Sequence, residues 1–227
     1  MTVGQMTGIT LDSIKSVRIY QRKSGYKFSM DAVWLDDFVR AENVVQCVDL
    51  GTGSGIIALL LASRCPGMSI TAVEIQPGLA GLARSNAALN GYDERISVIE
   101  ADIRQHAGFL PAASADLVVS NPPYKKPGTG RPNPDDERLI ARHEVHLSFK
   151  ELCAAASRLL KYGGSFCVVH LAERLAELLA ELRAARLEPK RARFVHPAAD
   201  RAAKTVLIEA VKGGRPGLVI EPPLIQD

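Results

Sequence analysis

The chain alternates between short apolar runs rich in β-branched residues and longer segments whose apolar positions recur every three or four residues. The first pattern predicts buried strands and the second predicts helices. The predicted strands are NVVQCVDL, SITAVEI, RISVIEA, DLVVSN, SFCVVHL, RARFVH and TVLIEAV. The helices predicted between them are SGIIALLLASRC, GLAGLARSNAALN, FKELCAAASRLL (closed by YGG) and ERLAELLAELRAARL. This alternation predicts an α/β fold with a mostly parallel, seven-stranded sheet and helices on both faces.

A short extension precedes this core. The stretch SVRIYQRKSGYKF predicts a β-ribbon, and Ser29 is a suitable N-cap for a helix through MDAVWLDDFVR. A chain of 227 residues with 47% hydrophobic content can bury one sizeable core. We therefore expect one domain over residues 1–227, with a basic ribbon in 1–30 and an α/β core in 31–227.

Composition excludes several classes of protein. No apolar run approaches the roughly 20 residues that a membrane span needs, and the N-terminus lacks the apolar stretch of a signal peptide. The four cysteines are widely spaced and form no C-x-x-C pair, which is typical of reduced core residues. These features predict a cytoplasmic protein with no membrane partner.

Positive charge is concentrated in segments that flank the core. Residues 1–30 carry five Lys or Arg against one Asp or Glu, and residues 183–204 carry seven against two. Residues 31–120 are acidic, with five basic and eleven acidic side chains. Clustered basic residues beside an acidic core suggest a polyanionic partner such as nucleic acid, although an unevenly charged soluble surface would look the same.

The first candidate site lies where the first core strand meets its helix, in VDLGTGSG. Its glycines, Gly51, Gly53 and Gly55, allow a tight turn and close approach of backbone to a ligand at a helix N-terminus. Glu74 ends the next strand, where a carboxylate can accept hydrogen bonds from both hydroxyls of a ribose. These positions predict a nucleoside-binding crevice.

The spacing G-x-G-x-G differs from the dinucleotide pattern G-x-G-x-x-G, and Asp49 stands two residues before the first glycine. A carboxylate there suits the cationic amino acid tail of S-adenosylmethionine better than a pyrophosphate, which it would repel. NAD and a purely structural glycine turn are the alternatives. Asp102, after the third core strand, could accept a hydrogen bond from the adenine amine or cap a turn. Ile75, after Glu74, could pack on the adenine ring. The predicted cofactor residues are Asp49, Gly51, Thr52, Gly53, Gly55, Glu74, Ile75, Asp102, Ile103 and Asn121, to which the resemblance described below adds Asp31.

The second candidate site is SNPPYKK, at the carboxyl end of the fourth core strand. The amine of adenine is a weak nucleophile because its lone pair is delocalised into the ring. If the side-chain oxygen of Asn121 and the carbonyl of Pro122 accept its two N–H bonds, the lone pair is directed at a methyl donor. Pro122 and Pro123 hold these acceptors in place, and Tyr124 offers a face on which the base stacks. The alternative is a turn that ends the strand and has only a structural role.

These motifs resemble class I, Rossmann-like methyltransferases of the N-P-P-Y subgroup. The chain is similar to bacterial tRNA (adenine-N6)-methyltransferases that modify the adenosine 3′ of the anticodon in a valine tRNA. The resemblance rests on YKFSMDAVWL, VDLGTGSGIIALLLA, VEIQ, SNPPYKK, RLIARHEVH, LLKYGG, VHLAERL and EPKRARFVHPAADRAAKTVLIEAVKGGRPGLVIEPPL. It implies a tRNA partner and places Phe28, Asp31 and Ala32 near the methionine end of the cofactor. The substrate rests on the resemblance, whereas methyl transfer follows from the residues as well.

A tRNA needs contacts beyond a small crevice. Five basic residues are predicted to contact its phosphates, namely Lys125, Lys126, Arg142, Arg191 and Arg193; Lys190 is a sixth candidate. The sequence RHEVH fails the zinc pattern H-E-x-x-H by one residue, because His143 and His146 are only three apart, so no metal is expected.

Three other functions compete with this interpretation. A release-factor glutamine methyltransferase uses the same N-P-P-Y motif but carries a helical N-terminal domain, and only about 40 residues precede the first core strand here. A DNA adenine methyltransferase brings a target-recognition region, and no segment here is long enough for one. A non-catalytic, cofactor-binding RNA-binding protein has no need of Asn121 or Tyr124.

Overall fold

The computed structural model describes residues 8–23, 30–105, 108, 110–123 and 147–226. Within these residues the α-helices are α1 (Met30–Phe38), α2 (Ile56–Arg64), α3 (Pro77–Leu89), α4 (Phe149–Leu159) and α5 (Leu175–Ala184). The strands are β1 (Ile9–Ile14), β2 (Val17–Arg22), β3 (Gln46–Leu50), β4 (Ser69–Glu74), β5 (Ile96–Glu100), β6 (Ala115–Ser120), β7 (Leu160–Leu171), β8 (Leu187–His196), β9 (Thr205–Lys212), β10 (Val219–Ile220) and β11 (Leu224–Ile225). Each predicted core strand and helix is present, with ends that differ by a few residues.

The main sheet has the order β10-β8-β9-β7-β6-β3-β4-β5, and β11 also pairs with β8. The five neighbouring strands β7, β6, β3, β4 and β5 are parallel to one another. Strand β9 runs antiparallel to both β7 and β8. The mostly parallel seven-stranded core is therefore confirmed. Strands β10 and β11 extend it beyond the prediction.

Both faces of the sheet are covered by helices. Successive strand residues point to opposite faces, so neighbouring residues belong to different core clusters. Cys47 and Val169 belong to the core cluster that α1, α2 and α3 complete, and their neighbours Val48 and Val168 belong to the cluster that α4 completes. Helix α2 is apolar around its whole circumference, with Ile56 to Ala62 all buried. The cysteines form no disulfide, and three of the four are buried.

The N-terminal extension forms a hairpin of β1 and β2, joined at Ile14 and Val17. The predicted ribbon over residues 16–28 was therefore placed too far along the chain, since its first strand is 9–14. The hairpin packs on the core through Ile19, which is fully buried. Ser29, the predicted N-cap of α1, lies outside the described residues.

A buried carboxylate ties the hairpin to two helices. Asp36 of α1 accepts a hydrogen bond from Lys15 Nζ at 2.8 Å and from Arg64 Nε of α2 at 2.8 Å. Arg64 also donates to the carbonyl of Val39. With two cationic partners, the buried charge of Asp36 is compensated, and the hairpin turn is anchored to α1 and α2.

The closing segment YGG does not end α4 but belongs to β7. Helix α4 stops at Leu159 and β7 begins at Leu160. Gly163 has φ of +81° at a shift in the register with β6. A side chain would strain this bulge, so the glycine serves the strand rather than a helix cap.

Arg191 is not placed to contact RNA. Its side chain is 8% exposed and forms ion pairs with Glu209 of β9 and with Glu221, the latter at 2.8 Å. Its guanidinium lies 4.2 Å from the centroid of the Phe38 ring and donates to the carbonyl of Phe38 at 2.8 Å. Arg193 shares Glu221, at 2.7 Å, and its side chain is 31% exposed. The prediction that both arginines bind phosphate is wrong for Arg191 and weakened for Arg193, because these charges are used inside the fold.

In the described part of the chain, no helix is both long enough and apolar enough to span a membrane.

We predict that Arg191→Ala destabilises the protein by about 3–5 kcal/mol, because it removes the buried cation that Glu209 and Glu221 share. Arg183→Ala is the matched control: this side chain is 64% exposed and pairs with Glu188 at 3.3 Å. The control should cost no more than about 1 kcal/mol. Urea unfolding measures both changes. Equal losses in the two variants would contradict a structural role for Arg191.

Candidate active site

Parallel pairing brings the predicted site residues to one edge of the sheet. Asp49 of β3 pairs with Val119 of β6, so Gly51 and Asn121 each follow two residues later at the same level. On the other side of β3, Leu50 pairs with Val73, which places Glu74 beside the glycine loop. The carboxyl ends of three adjacent strands thus form the crevice in which open α/β sheets bind ligands.

The glycine loop takes a conformation that requires glycine. Gly51, Gly53 and Gly55 have φ values of +75°, +60° and +91°. A Cβ on Gly51 would meet no atom within 4 Å, so the space above this residue is open for a ligand. A Cβ on Gly55 would lie 3.3 Å from the Cβ of Ala83, so this glycine also permits α3 to pack closely. The loop thus combines an accessible backbone at Gly51 with a tightly packed end at Gly55.

Glu74 holds the glycine loop against β4. One carboxylate oxygen accepts the N–H of Gly53 at 2.9 Å and the other accepts the N–H of Gln76 at 2.9 Å. Glu74 is 5% exposed, and burial raises the pKa of its carboxyl, against the opposing effect of the Gln76 and Gly53 amides. A carboxylate can accept about four hydrogen bonds, so two acceptor positions remain for ribose hydroxyls.

Asp49 lies beneath the loop and is fully buried. Thr52 Oγ1 donates to its Oδ2 at 2.5 Å, whereas its Oδ1 has no hydrogen-bond partner among the described residues. Burial raises the pKa of Asp49 to about 7, and the nearby charge of Glu74 acts in the same direction. Thr52, predicted as a cofactor residue, therefore has a first role in orienting Asp49.

Asp102 is held by a neighbour that sequence analysis did not single out. Arg104 donates to both of its carboxylate oxygens, with Nη2 at 2.6 Å from Oδ2 and the backbone N–H at 2.9 Å from Oδ1. Arg104 lowers the pKa of Asp102 through these hydrogen bonds. An adenine amine at Asp102 would have to share the carboxylate with this guanidinium.

The remaining cofactor predictions differ in accessibility. Ile75 is half-buried at the end of β4, whereas Ile103 is 8% exposed and belongs to the core cluster beneath this edge. Asp31 lies in the first turn of α1 and is half-buried, next to the buried Ala32. Phe28 lies outside the described residues.

A hydroxyl that sequence analysis missed fixes the start of the N-P-P segment. Ser120, the last residue of β6, is buried and donates from Oγ to the carbonyl of Leu50 at 2.7 Å. This bond joins the last residue of β6 to the last residue of β3, so Asn121 leaves the sheet beside the glycine loop. The only signal in the sequence was a small hydroxyl residue between an apolar strand and N-P-P.

A cavity of about 330 Å³ opens next to Pro122 and Pro123. His170, at the carboxyl end of β7, lines it and meets Phe149 edge-on, with the ring centroids 5.7 Å apart. Burial lowers the pKa of His170 to about 4, and Arg174 acts in the same direction, so the imidazole is neutral at pH 7. The rings of His170 and Phe149 thus give the cavity an uncharged, aromatic part, whereas Lys150, Arg174, Glu177 and Glu181 bring charged side chains to its lining.

Several predicted residues lie outside the described part of the chain. These are Tyr124, Lys125, Lys126, Arg142, His143 and His146. Among the described residues, no group of three or more His, Cys, Asp or Glu side chains is arranged to hold a metal ion.

Residues 32–186 match the family model described as the methyltransferase small domain. The chain belongs to this methyltransferase family. The crevice at the ends of β3, β4 and β6 is therefore the candidate active site of this methyltransferase.

Curated relatives of this methyltransferase carry a more specific name. A protein of Porphyromonas gingivalis, "tRNA1(Val) (adenine(37)-N6)-methyltransferase", is 34% identical over 172 residues, which make up 73% of this chain and 67% of the relative. A protein of Aeromonas hydrophila with the same name is 36% identical over 168 residues, 74% of this chain and 67% of the relative. In other relatives of that name the matched part is 64% of their length. The resemblance stated from the sequence is confirmed.

Solved structures support the fold. A predicted O-methyltransferase from Agrobacterium tumefaciens superposes with a TM-score of 0.71 at 26% identity, covering 86% of this chain and 87% of that one. P. horikoshii TYW2, solved in complex with MeSAdo, gives a TM-score of 0.65 at 14% identity, covering 91% and 72%, and shows the fold alone. The Rossmann-like methyltransferase fold expected from the sequence is confirmed.

We predict that the affinity for S-adenosylmethionine falls about tenfold between pH 7.5 and pH 6. Asp49 has a pKa of about 7, so its carboxylate is charged above this pH and neutral below it. Only the charged carboxylate attracts the cationic methionine amine. One pH unit below the pKa, Asp49 is still charged in about one molecule in eleven. Calorimetric titration across this range measures the effect.

Asp49→Asn is the control for this titration, because it keeps the shape of the side chain but removes the ionisation. Its affinity should be weak and nearly independent of pH over the same range. An equally steep pH profile in Asp49→Asn would assign the titration to another group, such as Glu74.

Proposed function

We propose that this methyltransferase transfers a methyl group from S-adenosylmethionine to N6 of an adenosine in tRNA, at the position 3′ of the anticodon of a valine tRNA, in the cytoplasm. The observation that carries the proposal is the placement of Asn121 and Pro122. They follow β6 directly and are held beside the glycine loop by the bond from Ser120 to Leu50. The names of the relatives at 34% and 36% identity support the choice of substrate.

The crevice fits S-adenosylmethionine in three respects. The unpartnered Oδ1 of Asp49 is a buried acceptor that a cationic amine would satisfy. Glu74 keeps acceptor positions for a ribose, and the space above Gly51 is open. A pyrophosphate would instead face the charges of Asp49 and Glu74, which disfavours NAD.

The chain's own residues activate the adenine amine. The side-chain oxygen of Asn121 and the carbonyl of Pro122 accept its two N–H bonds and turn the lone pair out of conjugation. When bound, S-adenosylmethionine supplies a methyl group on a positively charged sulfur. Asn121 and Pro122 would hold the amine while its lone pair takes the methyl group; the electrons of the S–C bond would stay with sulfur, and the proton would pass from the nitrogen to water. Because methylated nitrogen is strongly acidic, no general base is required.

The cavity beside Pro122 and Pro123 is suited to the target base. Its volume of about 330 Å³ is at the lower end of small-ligand pockets. The neutral ring of His170 and the ring of Phe149 offer the base uncharged contacts, and the polar part of the lining comes from side chains such as Lys150 and Glu181. By our proposal, a base extruded from the anticodon loop stacks on the ring of Tyr124, a residue outside the described part of the chain.

The surface that holds the tRNA needs revision after the correction at Arg191. Lys125, Lys126 and Arg142 remain proposed contacts. The N-terminal hairpin provides a second basic surface, on which Arg18 and Lys23 are exposed. A Cβ on Gly78, in the first turn of α3, would collide with the guanidinium of Arg22. Because α3 starts just after β4 ends, this places the basic end of the hairpin at the edge of the sheet that carries the site.

The function is tested by incubation with total tRNA and labelled S-adenosylmethionine, followed by nucleoside analysis. The wild-type protein should form N6-methyladenosine. Asn121→Ala should lower turnover by on the order of a hundredfold, because its oxygen acts mainly as charge develops on the amine. Its affinity for S-adenosylmethionine, measured by calorimetry, should change far less than its turnover, because Asn121 is one of many predicted cofactor residues but one of only two proposed acceptors for the amine.

Parallel reactions with a release factor and with adenine-containing DNA distinguish the competing substrates. Label in a glutamine side chain or in DNA, with none in tRNA, would overturn the proposed substrate. Binding of tRNA and cofactor with no transfer to any of the three would instead indicate a non-catalytic RNA-binding protein.

We predict that replacing Arg18, Arg22 and Lys23 together with Ala weakens tRNA binding and flattens its salt dependence. Each lost phosphate contact should reduce the slope of log affinity against log salt by roughly 0.7–0.9. The matched control removes the same charge at Arg201, Lys204 and Arg215, which are exposed and lie far from the hairpin in sequence. If both triple variants changed the slope equally, the hairpin would not be the tRNA surface.

A further inference from the structure

Two asparagines of α3 bind the backbone of β2 as a neighbouring strand would. The side chain of Asn86 accepts the N–H of Tyr20 at 2.7 Å and donates to the carbonyl of Tyr20 at 3.1 Å. The side chain of Asn90 does the same with Arg18, at 2.9 Å and 2.7 Å. Both backbone groups of two alternate residues of β2 are thereby paired, on the side of the strand that faces away from β1.

The match between helix and strand explains why these two positions are used. Residues four apart on an α-helix are separated by about 6.0 Å along its axis. Residues two apart on a strand are separated by about 6.6–6.8 Å. Asn86 and Asn90 can therefore reach Tyr20 and Arg18 at once, with the helix and the strand running in opposite directions.

Asn86 alone makes one more contact, and that contact reaches the cofactor loop. Its Nδ2 also donates to the carbonyl of Ser54, inside G-x-G-x-G, at 2.9 Å. The same peptide unit carries the N–H of Gly55, which donates to the carbonyl of Thr52 at 3.0 Å. Fixing the carbonyl of Ser54 therefore fixes the turn that closes the loop and starts α2.

The surroundings of Asn86 make this link rigid. Its side chain is fully buried, so water does not compete with these partners for hydrogen bonds to its amide. One turn earlier on the same helix, Ala83 packs against the site of the missing Cβ of Gly55. Asn90 is only half-buried, and besides β2 its Nδ2 donates to the carbonyl of Asn86.

We propose that Asn86 is a positioning residue for methyl transfer, which holds the glycine loop in its cofactor-binding shape by joining the carbonyl of Ser54 to the backbone of Tyr20 in the N-terminal hairpin. The inference rests on the proposed use of this loop to bind S-adenosylmethionine. It assigns the hairpin a part in the cofactor site, although no hairpin residue belongs to the G-x-G-x-G motif.

The test compares Asn86→Ala with Asn90→Ala in the full chain. Both variants remove an amide that clamps β2, but only the first removes a bond to the loop. Asn86→Ala should weaken S-adenosylmethionine binding about tenfold by calorimetry, with turnover at saturating cofactor changed less than about threefold. Asn90→Ala should bind the cofactor within about twofold of the wild type.

Hydrogen exchange supplies a readout that does not depend on a stable variant. In the wild-type protein, addition of S-adenosylmethionine should slow exchange of the Tyr20 amide, which is bonded to Asn86, more than that of the Arg18 amide, which is bonded to Asn90. Equal slowing at both amides, or equal loss of cofactor affinity in the two variants, would overturn the inference and leave the proposed function standing. A wild-type protein that does not bind the cofactor would overturn both.

Discussion

The site depends on one constraint, the parallel register of β3 between β4 and β6. Leu50 ends β3 opposite Val73 of β4, and Asp49 lies opposite Val119 of β6, so three chain segments leave the sheet at the same level. Each segment carries different chemistry: glycines after β3, a carboxylate at the end of β4, and an asparagine followed by prolines after β6. Two hydrogen bonds then fix the distances between these segments. The carboxylate of Glu74 accepts the N–H of Gly53, and the hydroxyl of Ser120 donates to the carbonyl of Leu50.

Electrostatics within this edge separate the two halves of the site. The cofactor side is acidic and buried, and the resulting high pKa of Asp49 makes its charge depend on pH near neutrality. The substrate side beside Pro122 has the neutral ring of His170, because burial opposes its protonation. By our proposal, the cationic methyl donor binds on the acidic side, and the uncharged base binds beside the rings of His170 and Phe149. We propose that the tRNA is held by positive charges on the hairpin and by Lys125, Lys126 and Arg142.

The fold was predictable where hydrophobic pattern decides it. Apolar runs such as those around Val48 and Val118 are buried on both faces, as is typical of strands inside a parallel sheet. Strands β10 and β11 could not be predicted, since each has two residues, Val219 is 59% exposed, and prolines stand between them. Their pairing with β8 is a matter of backbone hydrogen bonds, which leave no periodicity in the sequence.

The site was predictable to the extent that its residues stand at the ends of strands. Asp49, Glu74 and Asn121 could be assigned to one edge because parallel strands carry their loops there. Ser120 and Asn86 were missed, since their roles rest on carbonyls 70 and 32 residues away in the chain. Arg191 was misjudged for the same reason: a cation at the start of a strand looks solvated until Glu209 and Glu221 are brought to it.

The central claim is that one crevice orients an adenine amine toward a methyl donor. A crystal structure of the protein with S-adenosylhomocysteine and an anticodon stem-loop containing the target adenosine tests it most directly. The account predicts that the N6 atom lies about 2.7–3.2 Å from both the side-chain oxygen of Asn121 and the carbonyl of Pro122, with the sulfur facing it from the glycine loop. An adenosine bound with its N6 atom away from Asn121, or a cofactor bound away from Gly51 and Glu74, would contradict it.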